Sequence, residues 1–140
     1  MKRHDMFPMT TSILIVDDSP VYMDMLKSIL HELGFTNLVT ASDGKKALEV
    51  IESMKDTPNA IQLVFSDWVM PHVSGIEFIT KIRTDPALAK LPIIMDSSKS
   101  EKDAPLEAIK RGANGFLEKP VIKSALVKCL KTVWDQLKKS

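Results

Sequence analysis

The chain has 140 residues, of which 44% are hydrophobic and 26% charged, with a formal net charge of +1. That is enough chain for one domain with a buried core, and the charge balance excludes bulk electrostatic attraction to nucleic acid or to an anionic membrane. The single cysteine, Cys129, excludes an internal disulfide; it fits a reducing compartment and reads as a small apolar core group.

The first eleven residues, "MKRHDMFPMTT", carry basic side chains with no apolar stretch behind them, so they are not a secretory signal. No apolar run approaches membrane-spanning length. Residues 1–11 are expected to be a short flexible extension, and residues 12–140 one cytoplasmic domain. The first apolar run, "SILIV" (12–16), predicts strand β1. Ser19-Pro20 then reads as an N-cap with proline at the first helical position, opening a helix α1 with Tyr22, Leu26, Ile29 and Leu33 on one face. Gly34 stands where that helix should stop. "LVTA" (38–41) predicts β2, and Asp43-Gly44 opens α2, with Leu48, Ile51 and Met54 inward. After the polar loop 55–60, "QLVFS" (62–66) predicts β3, and Ser74-Gly75 opens α3 with Ile76, Ile79 and Ile82. "PIIM" (92–95) predicts β4; a helix α4 carries Leu106, Ile109 and Ala113 on its inner face, with Gly112 as its stop. "GFLE" (115–118) predicts β5, and α5 carries Leu126, Leu130, Val133 and Leu137.

Strands that are continuously apolar, without alternation, are buried on both faces. Helical crossovers of this length make the sheet parallel, and right-handed crossovers make it doubly wound, an α/β fold. Functional groups in such sheets gather at the carboxyl ends of the strands. There stand Asp17-Asp18 after β1, Asp67 after β3, Asp96-Ser97-Ser98 after β4 and Glu118-Lys119-Pro120 after β5. Carboxylates brought together repel, which raises at least one pKa. A hard divalent cation such as Mg²⁺ relieves this with oxygen ligands. A carboxylate beside such a cation is a candidate nucleophile towards phosphorus, and a lysine and a hydroxyl can hold the phosphoryl oxygens.

The motifs "ILIVDDSP", "SDWVMPHVSG", "PIIMDSSKS" and "GANGFLEKP", in this order and at this spacing, resemble those of response-regulator receiver domains of the single-domain chemotaxis (CheY-like) type. The resemblance runs from Ser12 to Lys138. It implies a five-stranded (βα)5 parallel sheet of flavodoxin-like order 2-1-3-4-5. It also implies that Asp67 is the phosphoacceptor, and that Asp18, Asp67 and the backbone carbonyl of Val69 ligate Mg²⁺ while Asp17 acts largely through metal-bound water. Lys119 would pair with the acceptor carboxylate and then with the phosphoryl group. Ser97 would move to the phosphoryl group and Phe116 would turn inward after it, coupling the site to an α4–β5–α5 surface. Lys119-Pro120 resembles the family's cis peptide. The implied partners are a histidine kinase as phosphodonor and a downstream target protein. No nucleic acid or membrane is contacted directly, and the protein would be a monomer or a phosphorylation-dependent dimer. The implied role is chemotaxis-like, catalysing only its own phosphorylation and dephosphorylation.

Two positions depart from the family pattern. Val69 stands where many receivers carry a polar side chain; an apolar group there cannot orient a hydrolytic water, so a long-lived aspartyl phosphate is expected. Asp96 replaces an apolar residue, is expected to face away from the side that Ser97 faces, and should lie near the surface or pair with a lysine. Three other readings compete. A haloacid-dehalogenase-like phosphatase needs an acid at position 69. A flavin or nucleotide binder needs a glycine-rich phosphate loop, and β1 is followed by "DDSP" instead. A degenerate receiver would serve only as an interaction module, and an active one could be a phosphate sink. His4, His31 and His72 are scattered and suggest no metal set.

Overall fold

The computed structural model describes residues 6–69, 74–98 and 102–139. Five strands alternate with five helices: β1 (Ile13–Val16), α1 (Pro20–Glu32), β2 (Leu38–Ala41), α2 (Gly44–Met54), β3 (Leu63–Asp67), α3 (Gly75–Thr84), β4 (Ile93–Ser97), α4 (Ala104–Lys110), β5 (Gly115–Glu118) and α5 (Lys123–Lys139). All strand pairs are parallel, in the order β2-β1-β3-β4-β5. This is the expected doubly wound sheet. β3 and β4 run one or two residues further than expected, so Asp67, Asp96 and Ser97 are the last residues of strands rather than the first residues of loops.

Side-chain alternation sorts the core into two layers. Ile13, Ile15, Leu63, Phe65, Ile94 and Leu117 meet α1 and α5 through Tyr22, Leu26, Leu30, Leu126, Leu130 and Val133. Leu14, Val16, Val64, Ile93 and Met95 meet α2, α3 and α4 through Ala47, Ile51, Phe78, Ile79, Ile82 and Ala108. Helix starts are set by side chains. Ser19, Asp43 and Ser74 each accept from a backbone N–H of the first turn. Gly34 and Gly112 end α1 and α4 with φ of 104° and 105°, a conformation that disfavours any side chain.

Two expectations are corrected. Residues 6–11 are not a loose extension: Met6, Phe7 and Thr11 are buried, and the Phe7 ring packs at 5.0 Å on Trp134 of α5. These apolar side chains cover the α1–α5 face of the sheet, which a helix pair alone leaves open at its edge. Residues 1–5 of the same expectation lie outside the described residues. The buried face of α4 is Ala104 and Ala108, whereas Leu106 and Ile109 are 66% and 52% exposed. Small side chains let this seven-residue helix approach the sheet closely, and the larger ones are left on the solvent side. No helix among the described residues is long and apolar enough to cross a membrane.

Candidate functional site

The site forms at the carboxyl end of the sheet because the residues there continue the alternation of the α1–α5 layer. Asp17 follows Ile15, Asp67 follows Phe65, Asp96 follows Ile94 and Lys119 follows Leu117, each two positions on. Asp67 and Asp96 are direct register partners. Local bonds hold each group. The backbone N–H of Ser19 donates to Asp17 Oδ1 at 2.8 Å, and Ser19 Oγ accepts from Tyr22 N–H at 3.2 Å, so the cap of α1 also places Tyr22. Trp68 N–H donates to the Asp96 carbonyl, Gly75 N–H to the Trp68 carbonyl and Lys119 N–H to the Ser97 carbonyl. At Gly75 a Cβ would stand 2.6 Å from the Trp68 carbonyl oxygen and 2.9 Å from that of Asp67, so only glycine lets α3 start this close to the end of β3. The Lys119-Pro120 bond is cis.

One ammonium sits among three buried carboxylates. Lys119 Nζ donates to Asp17 Oδ2 at 2.8 Å and lies 3.2 Å from Asp67 Oδ1 and 4.0 Å from Asp96 Oδ1. It also stands 4.4 Å from the centroid of the Tyr22 ring, a cation–π contact. Oxygens of Asp17, Asp67 and Asp96 all come within 4.8 Å of one another. The Tyr22 hydroxyl donates to Asp96 Oδ2 at 3.0 Å.

The charges are out of balance, and the titration behaviour follows. Burial, then repulsion from Asp17, pushes the Asp67 carboxyl up to about 6, against the pull of Lys119. Burial holds the Asp96 carboxyl well above the usual range, also against Lys119. Burial and the neighbouring Asp96 raise the Tyr22 hydroxyl above its ordinary value. Burial opposes the charge on Lys119, but its hydrogen bond to Asp17 and the surrounding carboxylates outweigh that, and its pKa is raised. A hard, oxygen-only donor set with more carboxylates than cations fits a divalent cation such as Mg²⁺.

The other expected site residues are placed as follows. Asp18 is exposed and lies outside the group of converging oxygens. Val69 is 59% exposed, and its N–H lies 3.4 Å from Asp67 Oδ1. Ser97 is buried, with its hydroxyl 3.4 Å from the Ser98 carbonyl oxygen. Phe116 is half-buried and is the register partner of Met95, so it shares the α2–α4 face of the sheet with Ser97. Met70 to Val73, including His72, and Lys99 and Ser100 belong to the quoted motifs but lie outside the described residues, as does His4.

The residues alone assign Asp96 no role and place Tyr22 on the inner face of α1 as core. Asp96 does face away from the side of Ser97, but that direction is the inside of the site: the residue is only 1% exposed, so of the two expected settings it takes the one beside a lysine, Lys119, and not the one near the surface. A buried tyrosine needs a partner for its hydroxyl, and a carboxylate in an apolar strand needs a donor. The two unmet needs were the available signal that they meet.

Comparison with known proteins agrees with this geometry. Residues 13–131 match the family described as "Response regulator receiver domain". The chain is 32% identical over 125 residues to the chemotaxis protein CheY of Pseudomonas aeruginosa, covering 89% of this chain and 97% of that protein. It is 33% identical over 125 residues to chemotaxis protein CheY-3 of Vibrio cholerae, covering 89% of this chain and 92% of that one. Among solved structures, the chemotaxis response regulator CheY4 of Vibrio cholerae superposes with a TM-score of 0.74 at 29% identity, covering 89% of this chain and 98% of that chain. With this sheet order, this strand-end cluster and a family match over most of its length, the chain belongs to the response regulator receiver domains, of the CheY type.

Proposed function

We propose that the protein is a phosphorelay receiver that accepts a phosphoryl group on Asp67 from a histidine kinase and changes its binding to a downstream protein in consequence. The observation that carries this reading is the placement of Asp67: a buried carboxylate at a strand end, 3.2 Å from a half-buried ammonium and beside a second carboxylate. Such a group is a nucleophile held ready, with a cation beside it for the oxygens of an incoming phosphoryl group.

Each side chain has a task in this reading. Asp67 Oδ attacks phosphorus, the bond from phosphorus to the donor breaks, and the donor leaves with its electron pair. Lys119 transfers its contact from the carboxylate to the phosphoryl oxygens. Asp18, Asp67 and the Val69 carbonyl would hold Mg²⁺ directly, with Asp17 acting through water. That ion, when bound, supplies charge neutralisation to the phosphoryl oxygens. Ser97 hydrogen-bonds the phosphoryl group and Phe116 follows, which alters the α4–β5–α5 surface where Leu106 and Ile109 already stand exposed. The shared sheet face of Ser97 and Phe116 supports this coupling. The CheY relatives support a chemotaxis-like role in the cytoplasm, with self-catalysed phosphorylation and dephosphorylation as the only chemistry. The monomer, or a dimer formed on phosphorylation, is the functional unit.

The test is intact mass after incubation with Mg²⁺ and acetyl phosphate, beside an Asp67→Asn control. A phosphoryl adduct on the wild type alone is expected. No adduct on the wild type would make a phosphorylation-independent interaction module the better reading.

A further inference from the structure

Asp96 Oδ1 is a buried carboxylate oxygen with no hydrogen-bond partner among the described residues. Its other oxygen is taken by the Tyr22 hydroxyl at 3.0 Å. Leaving such an atom unpaired is costly. The ammonium of Lys119 stands 4.0 Å from it, an ion-pair distance but too long for a hydrogen bond. That ammonium has three N–H donors. Asp17 takes one at 2.8 Å, and Asp67 lies 3.2 Å away. A movement of about 1 Å would bring it onto Asp96 Oδ1 at hydrogen-bond length, and a lysine stem is flexible enough to allow this.

We infer that Asp96 is a second seat for the Lys119 ammonium, a positioning residue that competes with the group on Asp67 for that charge. The competition rests on reading Asp67 as the phosphoacceptor; the seat itself does not. Anything that occupies Asp67 Oδ1 displaces the ammonium from one of its partners, and Asp96 Oδ1 is the buried acceptor left to receive it. Tyr22 moderates the pull. Its hydroxyl satisfies one Asp96 oxygen, and its ring supports the ammonium from below. Asp96 thus governs how much of the Lys119 charge reaches a phosphoryl group, without touching that group.

Two measurements test this. The first uses no phosphorus chemistry: a crystal structure of Asp67→Ala, which removes one of the two occupied acceptors. The Lys119 Nζ to Asp96 Oδ1 distance should close to about 2.8–3.0 Å; a distance that stays beyond hydrogen-bond reach overturns the inference. The second is a beryllofluoride titration in saturating Mg²⁺, with the bound fluoride read by fluorine NMR. Asp96→Asn keeps an oxygen for Tyr22 but replaces the free acceptor with a donor, so binding should tighten by roughly threefold to tenfold. Tyr22→Phe leaves Asp96 hungrier for Lys119, so binding should weaken. A merely structural role would weaken binding in both variants and overturns the inference. A wild type that binds no beryllofluoride refutes the phosphoacceptor reading instead, and the Asp67→Ala structure then decides the seat by itself.

Discussion

Asp67 and Asp96 are register partners across β3 and β4, so two carboxylates leave neighbouring strands at one level and on one face of the sheet. Parallel pairing forces them together, and one lysine just after β5 serves both. The energetic tension of the site follows from this pair, and so does its first measurable consequence.

In metal-free protein that tension should appear in the pH dependence of stability. The Asp67 carboxyl titrates at about 6 in the fold against an ordinary 3.8. Between these values the folded state binds more protons than the unfolded one, so the contribution of this group is full at low pH and is lost as pH rises through the folded value. Urea midpoints of wild type and Asp67→Asn in EDTA, measured from about pH 4 to about pH 7.5, should diverge in favour of the variant as pH rises. The gap should reach at most roughly 3 kcal/mol. A gap that is flat or closes over this range would contradict the raised carboxyl, and added Mg²⁺ should shrink it.

Val69 is 59% exposed beside Asp67, with its N–H turned to that carboxylate. Its side chain offers nothing to an attacking water. Val69→Asn should shorten the half-life of the phosphoryl adduct, followed by intact mass after removal of acetyl phosphate, on the order of threefold to tenfold. An unchanged or longer half-life would show that this side chain does not limit hydrolysis.

Arg83 ties the opposite end of the sheet. Its Nε and Nη2 donate to the Gly112 carbonyl, Nη1 to the Leu91 carbonyl and Nη2 also to Asn114 Oδ1, all within 3.0 Å. These acceptors lie just before β4 and β5. Arg83→Met should cost about 2–4 kcal/mol in urea unfolding because it strands partly buried carbonyls. Phosphorylation of Asp67 in the folded variant should be unaffected. A loss under 1 kcal/mol would mean that water replaces the guanidinium without penalty.

Phe7 is 3% exposed and packs at 5.0 Å, tilted by 53°, on Trp134. Phe7→Ala should destabilise by about 3 kcal/mol and change Trp134 fluorescence. A cost below about 0.5 kcal/mol, the range of an ordinary surface substitution, would return residues 6–11 to the status of a loose arm.

What depends on neighbours along the chain is legible in the residues alone. Apolar runs marked the five strands, while Ser19, Asp43 and Ser74 marked helix starts and Gly34 and Gly112 helix ends, because caps and left-handed residues act within one turn. The order of residues also places Asp17, Asp67 and Lys119 at strand ends, since a charge that closes an apolar strand must sit where partners or water can reach it. Packing across the sheet settles the rest. The carboxylate that joins Asp17 and Asp67 around Lys119 is Asp96 rather than Asp18, because interstrand register and side-chain direction depend on pairing across the sheet. The Tyr22–Asp96 bond joins residues 74 positions apart. The inner face of α4 went to Ala104 and Ala108 over Leu106 and Ile109, because the space left above the sheet, which helical periodicity does not encode, set the size of the side chains that fit. The expectation of a flexible extension over residues 1–11 fails at Met6 and Phe7, because the surface between α1 and α5 that receives them exists only after the sheet has closed.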